Sequence, residues 1–489
     1  MSRLFRYEVR MFASARLTWC VLALLFAAMA WGALNGHRQV REQRAVLARI
    51  GQHEAAALTQ ALAEVARYSR PAQAQLPYWQ DPTDVAGFMR YKLVAYAVKP
   101  PAPLAAIATG QSRLLPFYLR TDLDYVAPPA ASFDFVNPRA LSLGQFDLAF
   151  VLVLLLPLAL IALGAPRLAA ERDSGALVLM ALHMRSYRRL AALKLGAMAL
   201  VCVPFAVCGA AVALLLAGDA VWSGENAAVL LALGVALAAY TLFWCCLCVL
   251  VASRNGVIAS YLQLVLWFML LSFALPAAGA LALELAYPPA SSLQALDHLR
   301  RASDLTPAER NALFTRYLAA HPHYADAAGR LDAVPYATKM IGVQRQIDQQ
   351  LAPQRSAAAL QRSAAGSAAA ALRWLSPPML FDALLEQAAG TDAARHQRFL
   401  MRADAYTETL RQFFWPRALE DAAWPVTPCQ GCAARMRFVE HARIPRFVAE
   451  QPLPAMEMAQ ALLPGTGYLL LLASVLWMLT ALRRSGGPL

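Results

Sequence analysis

Charge is the scarcest property of this chain. Only 15% of its 489 residues are Asp, Glu, Lys or Arg, whereas 59% are hydrophobic. The mean hydropathy is positive, at +0.43. Soluble domains carry about 25% charged residues. The composition therefore excludes a soluble globular protein and predicts a membrane protein.

Sequence motifs of catalysis are also missing. No G-x-x-x-x-G-K-[ST] segment occurs, so the chain has no P-loop with which to bind the phosphates of ATP. The stretch from Gly110 to Leu114 reads GQSRL, which breaks the pattern of a hydrolase nucleophile elbow. The pair His53-Glu54 lacks the second histidine of a zinc protease. We therefore expect no catalytic residues and no bound metal.

Charged residues are rare in the apolar stretches. Asp147, Lys194 and Glu284 fall near the ends of these stretches, where a position at the membrane interface is expected. A proton or sodium relay needs ionisable groups deeper in the membrane. The sequence thus disfavours a transporter that is driven by an ion gradient.

What the chain has instead is six apolar stretches, each long enough to cross a bilayer as a helix, which takes about 20 residues. They are residues 17–34, 147–164, 193–217, 227–252, 257–287 and 462–482. Two polar segments between them, residues 35–146 and 288–460, are each large enough to form a domain. The predicted fold is an all-α polytopic membrane protein with six transmembrane helices and two large extracytoplasmic domains. The first domain is expected to be of mixed structure and the second mainly helical, with a capping box at Thr306 and Glu309.

The placement of arginine predicts the orientation. Four arginines precede the first stretch, five lie in the loop 165–192, and two lie in the tail 483–489, whereas the turn between stretches three and four offers only Asp219 and Glu225. Both termini are therefore predicted on the cytoplasmic side of a bacterial inner membrane. The net charge of +13 follows from this asymmetry, and no nucleic-acid partner is expected.

The 16 residues at the N-terminus predict an amphipathic helix in the membrane interface. Leu4, Phe5, Val9 and Phe12 fall on one helical face and the arginines on the other. An ordinary basic flank is the alternative. The apolar stretch that follows exceeds the 7–15 residues of a signal peptide, so it is predicted to remain as the first span.

Two of the eight cysteines stand apart from the others. Six lie in the apolar stretches, where a thiol packs like a small hydrophobic group. Cys429 and Cys432 form a C-Q-G-C pair in the second outer domain, where a local disulfide is the leading interpretation. A redox-active pair and a metal site are the alternatives. The histidines available for such a metal site are His321, His323 and His441.

Residues 137–195 resemble the permease subunits of ABC-2 type exporters. In that family a Glu-Arg-x-x-Gly turn follows the second span and leads into a short helix, a basic kink and the third span; here the chain reads AERDSGALVLMALHMRSYRRLAALKL. Upstream, VKPPAPLAAIATGQSRLLPFYLR is similar to the outer-domain signature of a subgroup with a large uncharacterised insert between the first two spans. One departure is His183-Met184, where the family commonly has a small residue or proline.

The resemblance implies that the loop 165–192 carries the coupling helix, which would contact a separate ATPase. The residues that would form the turn and the contact are Glu171, Arg172, Asp173, Gly175, Leu179, Met180 and Arg185. Glycine would allow the backbone conformation of the turn. For Glu171 the alternative is a solvated loop carboxylate, and for each arginine it is plain anchoring at the membrane surface.

The resemblance further implies a non-catalytic permease of an ATP-driven exporter that moves an amphiphilic molecule. ATP and Mg²⁺ would sit on a P-loop ATPase subunit, and a second permease half, identical or a sister chain, would complete the path. Membrane lipids and a periplasmic protein are further candidate partners. Pro157, Pro204 and Pro276 interrupt three spans and are the predicted hinges.

Two functions of other classes stay open at this point. One is a membrane-anchored structural or assembly protein that acts through its outer domains. The other is a membrane-tethered thiol oxidoreductase that uses Cys429 and Cys432.

Overall fold

The fold is nearly all helical. The computed structural model describes residues 2–68, 77–110, 112, 115–123, 146–175, 187–218, 224–288, 304–324, 331, 334–423 and 443–482. Within these residues six helices are long and apolar enough to cross a membrane. We number them spans 1 to 6: Arg16–Tyr68, Leu148–Asp173, Tyr187–Ala217, Ala227–Ala252, Val257–Ala286 and Ala455–Leu482.

A short amphipathic helix, α1 (Ser2–Ser14), precedes span 1 and packs on the start of span 3. Its buried side chains are Glu8 and Phe12, whereas Leu4 and Tyr7 are exposed. Part of the apolar face of α1, which the sequence predicts to contact the membrane, therefore packs on other helices of the protein instead. The side of the bundle that carries α1 and the C-terminal ends of spans 2 and 4 is called the terminal side. The opposite side is called the domain side.

Span 1 continues far beyond its apolar part. It is a single helix of 53 residues, so the predicted helical stretch after the first span joins it without a break. Two glycines let other backbone segments approach it closely: a Cβ at Gly36 would overlap the carbonyl oxygen of Ala106, and one at Gly32 would lie 2.6 Å from that of Asp147.

A tyrosine of span 4 supplies the hydrogen bond that a proline in the first half of span 2 cannot make. Pro157 has no N–H, which leaves the carbonyl of Val153 without a helical donor, and the π-helical turn Val151–Leu155 ends two residues before the proline. The hydroxyl of Tyr240 donates to this carbonyl at 2.8 Å. A neighbouring helix thus satisfies a backbone group that would be costly to leave unpaired among apolar side chains.

A second tyrosine supplies the hydrogen bond that the second proline of this span cannot make. Pro166 leaves the carbonyl of Ala162 free, and the hydroxyl of Tyr261 in span 5 donates to it at 3.2 Å. Two tyrosines on two different spans therefore hold span 2 in place.

Span 5 repeats the combination of a π turn and a proline. The turn Leu270–Ala274 precedes Pro276, and the buried hydroxyl of Ser376 donates to the carbonyl of Leu271 at 2.6 Å. The third predicted hinge, Pro204, lies exposed within the α-helix of span 3.

In the described part of the chain, helices and one small sheet form the domain side. The helices are α2 (Pro307–Ala319), α3 (Tyr336–Leu372), α4 (Pro377–Ala389) and α5 (Ala393–Ala423). Strands β1 (Tyr96–Val98) and β2 (Tyr118–Arg120) pair antiparallel with Ala97 opposite Leu119. Short turns of helix lie at Val85–Gly87, Phe88–Lys92, Gly224–Asn226, Pro322–Tyr324 and Arg373–Leu375. The predicted capping box is present, with the Thr306 side chain accepting from the N–H of Glu309.

The two polar segments share one hydrophobic core. Phe88 of the first segment stacks on Phe414 of the second, with 6.1 Å between ring centroids, and both are almost fully buried. Helix α4 belongs to the span bundle instead, because its Phe381 stacks on Tyr240 at 4.4 Å. The domain-side structure is thus inserted into the end of the bundle.

Candidate functional site

On the terminal side, one lysine joins three elements. The Nζ atom of Lys194 in span 3 lies 3.2 Å from each carboxylate oxygen of Glu8 in α1 and 2.5 Å from Oε1 of Glu171 in span 2. The Lys194 side chain is only 4% exposed, so it depends on these partners for its charge. Glu171 is therefore a paired group and not a solvated loop carboxylate, and Lys194 is a buried member of the same ion pair.

A second contact fastens α1 to span 2. The guanidinium of Arg167 lies 4.3 Å from the centroid of the Phe12 ring, and its Nη2 donates to the Phe12 carbonyl at 3.4 Å. A cation over an aromatic face is attracted by the ring quadrupole. The N-terminal helix is thus held at two points one helical turn apart.

The next two residues of the motif bind the turn between spans 4 and 5. Nη1 of Arg172 donates to the carbonyl of Ser253 at 2.9 Å, at the C-terminal end of span 4. Oδ2 of Asp173 accepts from the N–H of Val257 at 3.0 Å, at the N-terminal end of span 5. Each charge faces the helix end of opposite partial charge, so both contacts are favourable.

Gly175 ends the helix of span 2 with a φ of 72°, in the left-handed region. Its N–H donates to the carbonyl of Arg172 at 3.1 Å, as in a common helix C-terminus. No atom lies within 4 Å of a Cβ built here, so the position requires glycine for its backbone angles and not for space. Residues 171–175, which we call the 171–175 turn, thus tie the terminal-side ends of spans 2, 3, 4 and 5.

Several predicted site residues lie outside the described part of the chain. These are Leu179, Met180 and Arg185 of the coupling segment, and Cys429, Cys432 and His441. The two described histidines of the alternative metal site are neighbours, with 5.9 Å between the ring centroids of His321 and His323. The Nδ1 atom of His321 lies 2.9 Å from the carbonyl oxygen of Tyr317.

A cavity of about 1460 Å³ opens on the domain side, between the spans and helices α3, α4 and α5. Both π turns line it, through Val153 in span 2 and Phe273 in span 5, and so does the hinge candidate Pro276. Irregular helical backbone is tolerated in membrane proteins where it faces a cavity or other protein groups.

Six carboxylates line this cavity, and three of them, Asp147, Asp382 and Glu386, differ in their surroundings. Asp147 accepts three hydrogen bonds, from the N–H and the hydroxyl of Thr109 at 2.8 and 2.7 Å and from the N–H of Phe150 at 2.8 Å. Asp382 and Glu386 in α4 have no hydrogen-bond or ion-pair partner among the residues that the structure describes. Asp147 is a structural cap of span 2, whereas the other two carboxylates are free to meet a ligand.

Burial and like charges keep these two free carboxyls partly protonated. Burial, followed by the charge of Asp147, raises the pKa of Asp382 from 3.8 to about 6. Burial, followed by the charges of Asp382, Asp392 and Asp147, raises the pKa of Glu386 from 4.5 to about 8. Groups of this kind in a cleft are candidates for function.

Sequence reasoning missed this pair because nothing marks α4 as part of the span bundle. A signal was present in PPMLFDALLEQAA, where two acidic residues stand four apart in an otherwise apolar helix. That spacing puts both on one helical face.

Residues 292–425 match a family that is described as a domain of unknown function (DUF3526). The match covers a little over a quarter of the chain and includes α2 to α5, and hence Asp382 and Glu386. No curated protein and no solved structure matches the chain.

Proposed function

We propose that this chain is the permease subunit of an ATP-driven exporter in a bacterial inner membrane. Both termini would face the cytoplasm, and the domain side would face the periplasm. A separate P-loop ATPase would bind and hydrolyse ATP with Mg²⁺, and a second permease half would complete the path. The similarity of residues 137–195 to ABC-2 type permeases supports this proposal.

The observation that carries the proposal is the junction at the 171–175 turn. Glu171 reaches span 3 and, through Lys194, helix α1; Arg172 reaches span 4; Asp173 reaches span 5. A force on the segment that follows Gly175 would therefore act on four spans and on α1 together. Leu179, Met180 and Arg185 would supply the contact with the ATPase.

The mechanism that follows is alternating access. ATP-driven closure of the ATPase pair would push the coupling segment, and the 171–175 turn would pass the motion to the spans. Spans 2 and 5 would bend at their π turns beside Pro157 and Pro276, which line or adjoin the domain-side cavity. The cavity would then open or close toward the periplasm.

The test is the variant Gly175→Val. The β-branched side chain opposes a positive φ at a cost of about 1–3 kcal/mol, so the segment after the turn should be misplaced. We expect the full-length variant to insert into the membrane normally but to lose most of the co-purified ATPase or its permease-stimulated ATP turnover in liposomes.

The matched control is Gly51→Val. Gly51 is an exposed helical residue of span 1 beyond its apolar part, and a Cβ there meets no atom within 4 Å. This variant should retain the ATPase. If the wild-type chain, purified in mild detergent, brings down no P-loop ATPase, the exporter proposal is wrong and an assembly protein becomes the better interpretation.

A further inference from the structure

We infer that the domain-side cavity binds an organic cation, a positively charged molecule with a large apolar part. The inference rests on the proposed function only where it makes this molecule a transport substrate. The binding site itself stands on the residues of the cavity.

The size and the apolar wall of the cavity suit a ligand of this kind. Its volume of about 1460 Å³ exceeds that of a typical small-molecule cleft, about 300–1,000 Å³. Apolar side chains come from four spans, including Val153 of span 2, Val229 of span 4, Phe273 of span 5 and Met458 of span 6. A site of this composition binds mainly by burying apolar surface and uses a few polar groups for selectivity.

The ionisable groups of the lining differ in their partners. The guanidinium of Arg373 lies 5.8 Å from the centroid of the Trp374 ring. Arg395, which also lines the cavity, donates to the carbonyls of Gly390 and Pro100 at 2.7 and 2.9 Å. Glu450 on the cavity wall is paired with Arg398 at 2.8 Å. Arg395 and Oε1 of Glu450 are thus paired, whereas Oε2 of Glu450 has no hydrogen-bond partner among the described residues.

Asp382 and Glu386 have no such partners in the described part of the chain. Both stand on one face of α4, one helical turn apart, and the loop glycine Gly110 passes so close that a Cβ there would lie 2.8 Å from Oε1 of Glu386. A ligand that brings a positive charge to this face would supply the missing partner, whereas these two carboxylates, when ionised, would repel an anion from it. The preference is local, since the whole chain carries a net charge of +13.

A bare metal ion fits this face less well. No group of three His, Cys, Asp or Glu side chains in the described residues is placed to hold a metal ion. Two carboxylates on consecutive turns of one helix, facing a wide and mostly apolar space, match a diffuse organic charge better than a compact ion that needs six or more oxygen ligands.

The experiment compares two probes of nearly the same shape and opposite charge. Tetraphenylphosphonium and tetraphenylborate are titrated into the full-length chain in detergent at pH 8, without ATPase, and binding is measured by calorimetry. We expect tetraphenylphosphonium to bind and tetraphenylborate to bind at least about tenfold more weakly, because one opposite charge nearby alters such equilibria by a factor of ten or more.

The double variant Asp382→Asn with Glu386→Gln removes both charges and keeps the side-chain shapes. It should weaken tetraphenylphosphonium binding about tenfold or more and should leave tetraphenylborate binding equal to or stronger than before. The control Glu420→Gln makes the same chemical change on the exposed surface of α5, outside the cavity lining, and should bind as the wild type does. Thermal unfolding of each variant shows that it is folded, and each single variant serves if the double variant is not.

Three results would overturn the inference: equal binding of both probes, no binding of the cation, or cation binding that the folded double variant retains. None of them depends on an ATPase. A chain that recruits its ATPase but fails here keeps the proposed function and loses the substrate class, and a chain that binds the cation without any ATPase does the reverse.

Discussion

Tyr240 is the residue on which the geometry of span 2 most directly depends. Its buried hydroxyl donates to the carbonyl that Pro157 leaves free, and its ring stacks on Phe381 of α4. Tyr240→Phe keeps the ring but leaves the carbonyl of Val153 unpaired in apolar surroundings. We expect a loss of about 1–3 kcal/mol in the free energy of unfolding, measured by denaturant unfolding in detergent.

The control for this change is Tyr468→Phe. Tyr468 in span 6 also contacts an aromatic ring, that of Trp374, but its hydroxyl has no hydrogen bond among the described residues. Removing that hydroxyl should change stability by less than about 0.5 kcal/mol. Equal effects at the two positions would mean that the hydroxyl of Tyr240 is not what holds span 2.

Glu386 should make the protein less stable at alkaline pH. Its carboxyl has a pKa of about 8 in the folded chain, against an ordinary value of 4.5, so the folded state holds a proton that the unfolded state has already released. Between these two values the folded state binds more protons, and stability therefore falls as pH rises. Below about pH 4.5 the ionisation of Glu386 does not change the free energy of unfolding. Above about pH 8 the loss of stability that it causes has reached its full size.

Glu386→Gln should remove this dependence. The melting temperature of the variant should match that of the wild type near pH 4.5 and exceed it at pH 8.5, with the gap opening between the two. The charges nearest to the carboxyl are Asp147, Asp382 and Asp392, so Asp382→Asn should narrow the gap by lowering the same pKa. A constant difference at all pH values would contradict the assignment.

Single residues show how far the sequence alone could lead. The turn at Gly175 was expected from the resemblance of residues 137–195 to ABC-2 type permeases, and a glycine with positive φ ends the helix of span 2 there. The partners of that triplet were not, because Lys194, Ser253 and Val257 come together only when the spans pack. The spacing of the two carboxylates of α4 was visible in the sequence, but their lack of partners was not, for the same reason.

Among the elements, α1 is held in a way that can be tested. Lys194→Met leaves Glu8 and Glu171 facing each other without their cation, and removing one partner of a buried ion pair costs about 3–5 kcal/mol. We expect α1 to detach from span 3. Trypsin should then cleave faster at the exposed Arg6 and Arg10. Mass spectrometry of the digested protein would detect the loss of the N-terminal residues.

A fully neutral version of the same cluster separates charge from packing. In the triple variant with Lys194→Met, Glu8→Gln and Glu171→Gln, no buried charge is left unpaired, so protection of Arg6 and Arg10 should return at least in part. If the single variant stays protected, the lysine does not anchor α1.

The centres of the helices were predictable, whereas their ends were predictable only where a turn follows directly on the apolar pattern. Span 4 lies at residues 227–252, as the apolar pattern predicts, because both of its ends coincide with turns. Span 2 runs on to Asp173, beyond the predicted end at residue 164, since its polar last turn finds partners on other spans. Span 6 begins at Ala455, before the predicted residue 462.

For the molecule as a whole, the sequence predicted two outer domains, and the structure packs both segments around one core. The residues that join them, such as Phe88 and Phe414, lie more than 300 positions apart, and no local pattern reports a contact over such a distance. The insertion of α4 into the bundle was not predictable for the same reason, because it depends on contacts between distant residues such as Tyr240 and Phe381. The composition therefore predicted the apolar helices. The position of the cavity follows only from the way in which distant segments pack.

The unbroken helix of span 1 gives the molecule a lever arm. At about 1.5 Å per residue, its 53 residues make a rod about 80 Å long. Its far half is fastened to the domain-side structure, where Lys92 pairs with Glu64 and the N–H of Tyr96 donates to Glu54 at 2.6 Å. A tilt of about 10° at the terminal end would sweep the far end through about 14 Å, because a rod of this length has no joint at which the angle could be lost. A small rotation beside α1 would therefore arrive at the shared core as a displacement wider than a helix.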